Sequence, residues 1–320
     1  MSENPLLNSS VADRVSALRG RFIHHERFEA LSSEFYASLN ARLADLRACR
    51  VFQIHNISLV AESGSGKTTA INKLIEQSRN FLQETDFPEG KIIQMKISSK
   101  PTFKSVGLDL LKSMEPNLKP NRETWYIWNL VRFHLRENSV LYVHFDEAQH
   151  LNMRSRKRDV PEIVDAMKSI SEDPEWPVGF VLSGAQELKD LLNYDQQLVR
   201  RGGGIEFEPL TGHTDSDDML DLIENYAHAV DLAFEPGGAD QKFGERIVHA
   251  AAYQFGLVIA LTLTAIRKCL SLGDTTLSME HFADAYQAEK GCDPGFNPFL
   301  ITQFTQIDPR QMFTKEERIK

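Results

Sequence analysis

The stretch Leu59-Val60-Ala61-Glu62-Ser63-Gly64-Ser65-Gly66-Lys67-Thr68-Thr69 joins an apolar run to a glycine-bearing turn and then to a helical pattern. The P-loop pattern is Gly, four residues, then Gly-Lys-Ser/Thr; Gly66, Lys67 and Thr68 supply its end, and Ala61 stands where its first Gly is expected. To wrap phosphates, successive backbone N–H groups must turn inward while the following helix aims its positive N-terminal end at the same anion. Gly64 and Gly66 supply the freedom for that turn, and position 61 falls at the strand exit, where Ala is tolerable. The expected nucleotide contacts are Glu62, Ser63, Gly64, Ser65, Gly66, Lys67, Thr68 and Thr69. Lys67 would pair with the β- and γ-phosphates of ATP, and the Thr68 hydroxyl would sit on Mg2+. The plainer alternative is a Gly/Ser turn that happens to contain Lys-Thr. Ile57 to Val60 upstream and Ala70, Ile71, Leu74 and Ile75 downstream favour the P-loop, because they place it between a strand and a helix.

A chain of 320 residues has room for about two domains. No apolar run approaches the roughly 20 uninterrupted residues of a membrane span, and the first residues lack a basic segment followed by an apolar one, so the expectation is cytoplasmic with no membrane partner. Cys49, Cys269 and Cys292 are odd in number and widely spaced, which suggests neither a disulfide framework nor a zinc site. The net charge of −9 argues against a wholly basic nucleic-acid binder, but the charge is uneven. Lys91 to Arg122 holds seven Lys/Arg against two acids, whereas Glu206 to Glu245 holds eleven acids against one base. Two solvated faces would explain the same pattern.

Residues 1–50 read as a helical N-terminal extension, with Phe28, Leu31, Phe35, Leu39, Leu43 and Leu46 on one face. Residues 51–210 read as an α/β nucleotide-binding domain, with strands at Ile54 to Val60, Lys91 to Ile97, Val140 to Phe145, Val178 to Leu182 and Ile205 to Phe207. Helical patterns between them predict a parallel sheet covered on both sides. The third strand ends in Asp146-Glu147, where open α/β sheets bind ligands: Asp146 suits Mg2+, held through water, and Glu147 suits activation of the attacking water. The fourth strand ends in Ser183-Gly184, and Arg200-Arg201 follow a helical run that ends at Val199. Residues 211–290 read as an all-helical lid and residues 291–320 as a tail.

This order of parts resembles the AAA+ superfamily, and within it the TniB/TnsC-type ATPases of DNA transposons. The narrowing residues are Asp146-Glu147-Ala148-Gln149-His150-Leu151, Gln197 to Arg201 leading to Phe207-Glu208-Pro209-Leu210, Phe282 to Tyr286, and Asn297-Pro298-Phe299. The resemblance implies a three-layer parallel sheet with a helical lid. It also implies a regulator that assembles as a ring or helical filament on double-stranded DNA, sequence-independently, and recruits and activates a transposase alongside target-selection proteins. Hydrolysis of ATP would disassemble it. It further implies that Ser183 senses the γ-phosphate, where Ser before Gly is also common turn chemistry, that Arg200 or Arg201 is a finger reaching a neighbour's nucleotide, where a helix cap is the other reading, and that Phe22 and Ile23 lie beside the adenine, where plain helix packing is the favoured alternative. The segment after the second strand would face the DNA, with Lys100, Thr102, Lys104 and Arg122 as contacts and Arg154 to Arg158 as a second candidate, which could equally contact an adjacent subunit or stay solvated.

At the lid's usual sensing position this chain has Gly256 to Ala260 in place of an arginine, and Arg267 follows two turns or more later. An ExeA-like secretion ATPase and a replication initiator or loader remain as alternatives. The first has no spanning helix here to support it, and the roughly thirty residues after the lid are too few for a winged-helix domain. Phe296, Pro298, Phe299 and Phe304 read either as exposed anchors for a partner or as a segment docked back on the lid.

Overall fold

The computed structural model describes residues 9–52, 54–114, 122–151, 159–194, 203–238 and 242–315. They fall into a helical unit, Met1–Ile23, Gly64–Gly66 and Glu208–Lys320, and a sheet unit, His24–Ser63 and Lys67–Phe207. The first element, α1 (Ser9–Arg19), belongs to the helical unit.

The sheet unit runs α2 (Glu26–Arg47), β1 (Ile57–Ala61), α3 (Lys67–Gln83), β2 (Lys91–Lys96), α4 (Phe103–Lys112), α5 (Thr124–Glu137), β3 (Val140–Asp146), α6 (Asp159–Ser171), β4 (Gly179–Gly184), α7 (Leu188–Tyr194) and β5 (Gly204–Phe207). The strands lie side by side in the order β2-β3-β4-β1-β5, and every neighbouring pair is parallel. β1 and β4 are buried along their whole length and β3 along all but its last residue, as strands covered on both faces must be. Alternation along the strands divides their side chains between two faces. Val143, Phe145, Phe180 and Leu182 join Ile127 and Val131 of α5 and Ile163 and Met167 of α6 in one core. On the other face the Tyr142 ring lies 5.0 Å from Phe35 of α2, and its hydroxyl shares a 2.6 Å hydrogen bond with Ser38.

α2 follows the apolar spacing read from the sequence: Phe28, Leu31, Phe35, Leu39 and Leu43 are buried, and Leu46 is half-buried. Its start is capped by His25, whose Nδ1 accepts the Phe28 N–H at 3.2 Å. That contact needs a neutral ring, and burial pushes the His25 imidazole down to about 4. α6 fills the interval between Leu151 and Val178, which the sequence reading leaves unassigned; Val160, Ile163, Val164, Met167 and Ile170 form its buried stripe.

The helical unit continues with α8 (Ser216–His228), β6 (Ala233–Glu235), α9 (Phe243–Ala250), α10 (Phe255–Leu272), β7 (Thr276–Ser278) and α11 (Met279–Lys290). It is helical as expected, with one addition: β6 and β7 form a short parallel pair with Phe234 opposite Leu277. Ser278 caps α11 through a capping box with His281. α1 inserts Val11, Val15 and Leu18 into the core of this unit, and Ile23 packs against the same core. α10 is 18 residues long with mean hydropathy 1.7, enough by length and composition to cross a membrane. Its Phe255, Val258, Leu261, Ala265, Ile266 and Cys269 are part of the unit's core.

Of the two readings of the tail, docking holds. Phe299 and Phe304 are each 5% exposed, and Pro298 is buried. Asn297 is fully buried and satisfied: its Nδ2 donates to the Ala283 carbonyl at 2.9 Å, and its Oδ1 accepts the Phe299 N–H at 3.0 Å. The Arg246 guanidinium donates to the carbonyls of Pro298 and Ile301 and lies 4.6 Å from the Phe304 ring centre. Asn297-Pro298-Phe299 is thus a clasp on α9 and α11.

Candidate nucleotide-binding site

The P-loop begins where β1 ends. Ala61 is the last residue of β1, paired with Phe207, and it is not among the positive-φ positions, so a Cβ is harmless where the pattern has Gly. The left-handed turn falls later, at Gly64 (φ 83°) and Gly66 (φ 90°). A Cβ placed on Gly66 would meet nothing within 4 Å, so space lies open on that side of the loop. Ser65 is buried with its hydroxyl lacking a hydrogen-bond partner, a costly state for a polar atom unless a ligand supplies one. Lys67 opens α3 and is 9% exposed, Glu62 is half-buried, and Ser63, Thr68 and Thr69 are exposed. An orphaned hydroxyl, open space beside a glycine and a buried cation at a helix start together fit an anionic phosphate chain and its cation.

The carboxyl ends of β1, β3 and β4 are brought level by the sheet register. Leu59 pairs with Ser183 and Val60 with Gly184, Phe145 with Leu182, and Lys96 with Asp146. Asp146 and Ser183 therefore meet: the Ser183 hydroxyl donates to Asp146 Oδ1 at 2.9 Å, and the Glu147 N–H donates to the same oxygen at 3.0 Å.

Glu147 has left-handed backbone geometry (φ 56°, ψ 35°), which costs a non-glycine residue roughly 1–2 kcal/mol. Strain of this kind persists where the surroundings over-determine it. Here the next residues turn at once into a 3-10 segment, Ala148–His150, and the side chain is gripped. Gln149 Nε2 donates to Glu147 Oε2 at 2.5 Å, while Gln149 Oε1 accepts the Ala185 N–H at 3.1 Å. A Cβ at Gly184 would lie 2.5 Å from that same Oε1, so glycine at the end of β4 makes room for Gln149. Lys96 Nζ lies 4.0 Å from Glu147 Oε1, a weak pair because the lysine is largely exposed.

Behind Ser183 stands His144, which the sequence reading absorbed into an apolar strand. Its Nε2 is 2.8 Å from the Ser183 hydroxyl, and its Nδ1 is 3.5 Å from Gln94 Nε2, which also donates to Asn72 Oδ1 at 3.0 Å. Burial pushes the His144 imidazole down to about 4; Asp146 opposes that shift and Lys67 adds to it. The ring is therefore neutral at physiological pH. One polar residue in the run Val140 to Phe145 was the available signal, since a buried polar side chain requires partners.

Lys100 is exposed just before α4, and Lys104 is half-buried in its first turn. Thr102 is the α4 cap: its hydroxyl accepts the Ser105 N–H at 3.0 Å, and Ser105 Oγ accepts the Thr102 N–H at 2.9 Å. Arg122 lies just before α5, with its guanidinium 5.5 Å from the Tyr126 ring centre, and follows Lys100 and Lys104 in the chain beyond the end of α4. Arg200, Arg201 and Arg154 to Arg158 lie outside the described residues. Arg267 is exposed on α10.

A model of the family described as bacterial TniB protein matches residues 16–210. No curated protein sequence matches. Among solved structures, the ORC2 protein of Aeropyrum pernix in its ADPNP-ADP complexes is similar with a TM-score of 0.62 at 16% identity, over 86% of this chain and 71% of that one. The Aeropyrum pernix ORC1 protein in complex with DNA gives 0.57 at 14% identity, over 89% and 69%. The Thermotoga maritima RuvB Holliday junction branch migration motor gives 0.52 at 15% identity, over 88% and 74%. At such identities the likeness is one of fold, and the fold is the AAA+ parallel sheet with a helical region after it.

Proposed function

Because the chain belongs to the TniB family, we propose that it is an AAA+ ATPase of DNA transposition that binds ATP and Mg2+, assembles on duplex DNA, and recruits and activates a transposase until hydrolysis releases it. The observation that carries the ATPase part is the meeting of Asp146, Glu147 and Ser183 at the carboxyl ends of β3 and β4, level with the end of β1, from which the P-loop sequence leads to Lys67. Lys67 and the loop N–H groups bind the phosphates. Thr68 and Asp146 hold Mg2+, which neutralises phosphate charge when bound. Glu147 accepts a proton from the attacking water, with Gln149 fixing its carboxylate. Arg200 or Arg201 completes the site of a neighbouring copy. The DNA part is supported by the family and by the exposed Lys100 beside α4, and the contacts are to phosphates.

A site completed in trans makes hydrolysis depend on assembly. Specific ATPase activity of the purified chain is expected to rise with protein concentration and with added duplex DNA of unrelated sequences. Activity per molecule that stays constant over a hundredfold dilution, with and without DNA, would remove the composite site from this reading.

A further inference from the structure

Ser183 has one hydroxyl hydrogen, and it is directed to the Asp146 carboxylate, which when ionised can only accept. His144 Nε2, 2.8 Å from the same hydroxyl, must then be the protonated nitrogen and donate to Ser183 Oγ. That leaves Nδ1 as an acceptor, and the group facing it is the Gln94 amide, a donor. Each contact agrees with the others in direction: Gln94 to His144, His144 to Ser183, Ser183 to Asp146. The His144 ring is 2% exposed, and its donor cannot exchange Ser183 for water without opening the sheet face. Register explains why these three groups meet, since His144 and Asp146 share a face of β3 and Gln94 lies directly opposite His144.

We propose that His144 is a positioning residue for ATP hydrolysis: its Nε2–H holds the Ser183 hydroxyl as a donor to Asp146, so that the carboxylate meets the bound cation and Glu147 in one orientation. This rests on the ATPase reading above. Without the donor, the Ser183 oxygen loses the contact that fixes its position, and its bond to Asp146 is held less firmly. The effect falls on the chemical step more than on nucleotide affinity, because the P-loop contacts are made by other residues.

Two measurements on the full chain test this. Nitrogen-15 NMR of labelled histidine at pH 7 is expected to show His144 as the Nε2–H tautomer; an Nδ1–H tautomer would overturn the proposal. In steady-state kinetics, His144→Leu is expected to lower kcat about tenfold with KM for ATP changed less than about twofold, the size of one lost hydrogen bond to a charged network. His144→Gln, which keeps a donor near the Nε2 position, should recover most of the loss. In a Ser183→Ala background the His144→Leu change should cost almost nothing further, whereas additive losses would mean that His144 acts only by packing. If His144→Leu fails to fold, His144→Gln and the tautomer decide the matter. A wild-type chain that hydrolyses no ATP would overturn the ATPase reading itself, and the NMR measurement would still show whether His144 donates to Ser183.

Discussion

Glu147→Gln is expected to lower ATP hydrolysis by roughly 10²–10⁴-fold while ATP binding stays within a few-fold of wild type. The geometry explains why the two properties separate. Glutamine keeps the size of the side chain and leaves an oxygen to accept from Gln149 Nε2, so the clamp from Gln149 to Ala185 survives. The left-handed backbone at position 147 is unchanged, because its cost is common to both residues. What disappears is the ability to take a proton from water. Phosphate release and equilibrium binding of a labelled nucleotide measure the two effects independently. On DNA, the variant should persist as an ATP-bound assembly. Loss of nucleotide binding in a folded Glu147→Gln protein would mean that Glu147 serves the architecture of the loop and that hydrolysis uses another base.

The second large effect concerns DNA. Replacing Lys100 and Lys104 together by Glu is expected to weaken duplex binding at least a hundredfold and to flatten the dependence of log affinity on log salt by roughly two units, one per lost phosphate contact. Lys104 lies in the first turn of α4, where the helix already presents positive charge and where no acidic residue is found. Helices favour acids there by about 0.3–1 kcal/mol, so the substitutions should leave α4 intact or slightly stabilised. Lost DNA binding could not then be ascribed to unfolding, and nucleotide binding should be untouched. Thr102 is less informative, because its hydroxyl caps α4 and Thr102→Ala would itself cost about 1 kcal/mol. Unchanged affinity and salt slope in the double variant would take this turn out of the DNA interface.

The sequence made the P-loop and the Asp146-Glu147 strand end legible because each is local: the chemistry, the glycines and the strand-to-helix change lie within a dozen residues. The Ala61 departure ceases to be one once β1 is seen to run through it, with the left-handed turn confined to Gly64 and Gly66. His144, Gln149 and Asn297 were harder, since their partners lie on other elements: Ser183 is 39 residues from His144, and Ala185 is 36 from Gln149. A single polar residue inside an apolar run carries the warning but not the name of its partner. The same holds for α1: residues 1–50 read as one helical extension on the spacing of Phe28 to Leu46, and nothing in that spacing says which core receives Val11, Val15 and Leu18. The tail was ambiguous in sequence because an exposed anchor and a docked clasp ask for the same aromatic residues; Arg246 and the buried Asn297 decide for the clasp. The basic segment reads as one block in the sequence, while the structure distributes it over β2, the start of α4 and the approach to α5.

The central claim is that nucleotide state controls assembly on duplex DNA. Electron microscopy of the wild-type chain with duplex DNA tests it most directly, with a non-hydrolysable ATP analogue in one sample and ADP in the other. The account predicts rings or helical filaments enclosing DNA with the analogue, and free protein with ADP. DNA-free monomers under both conditions, across a range of salt concentrations, would contradict it.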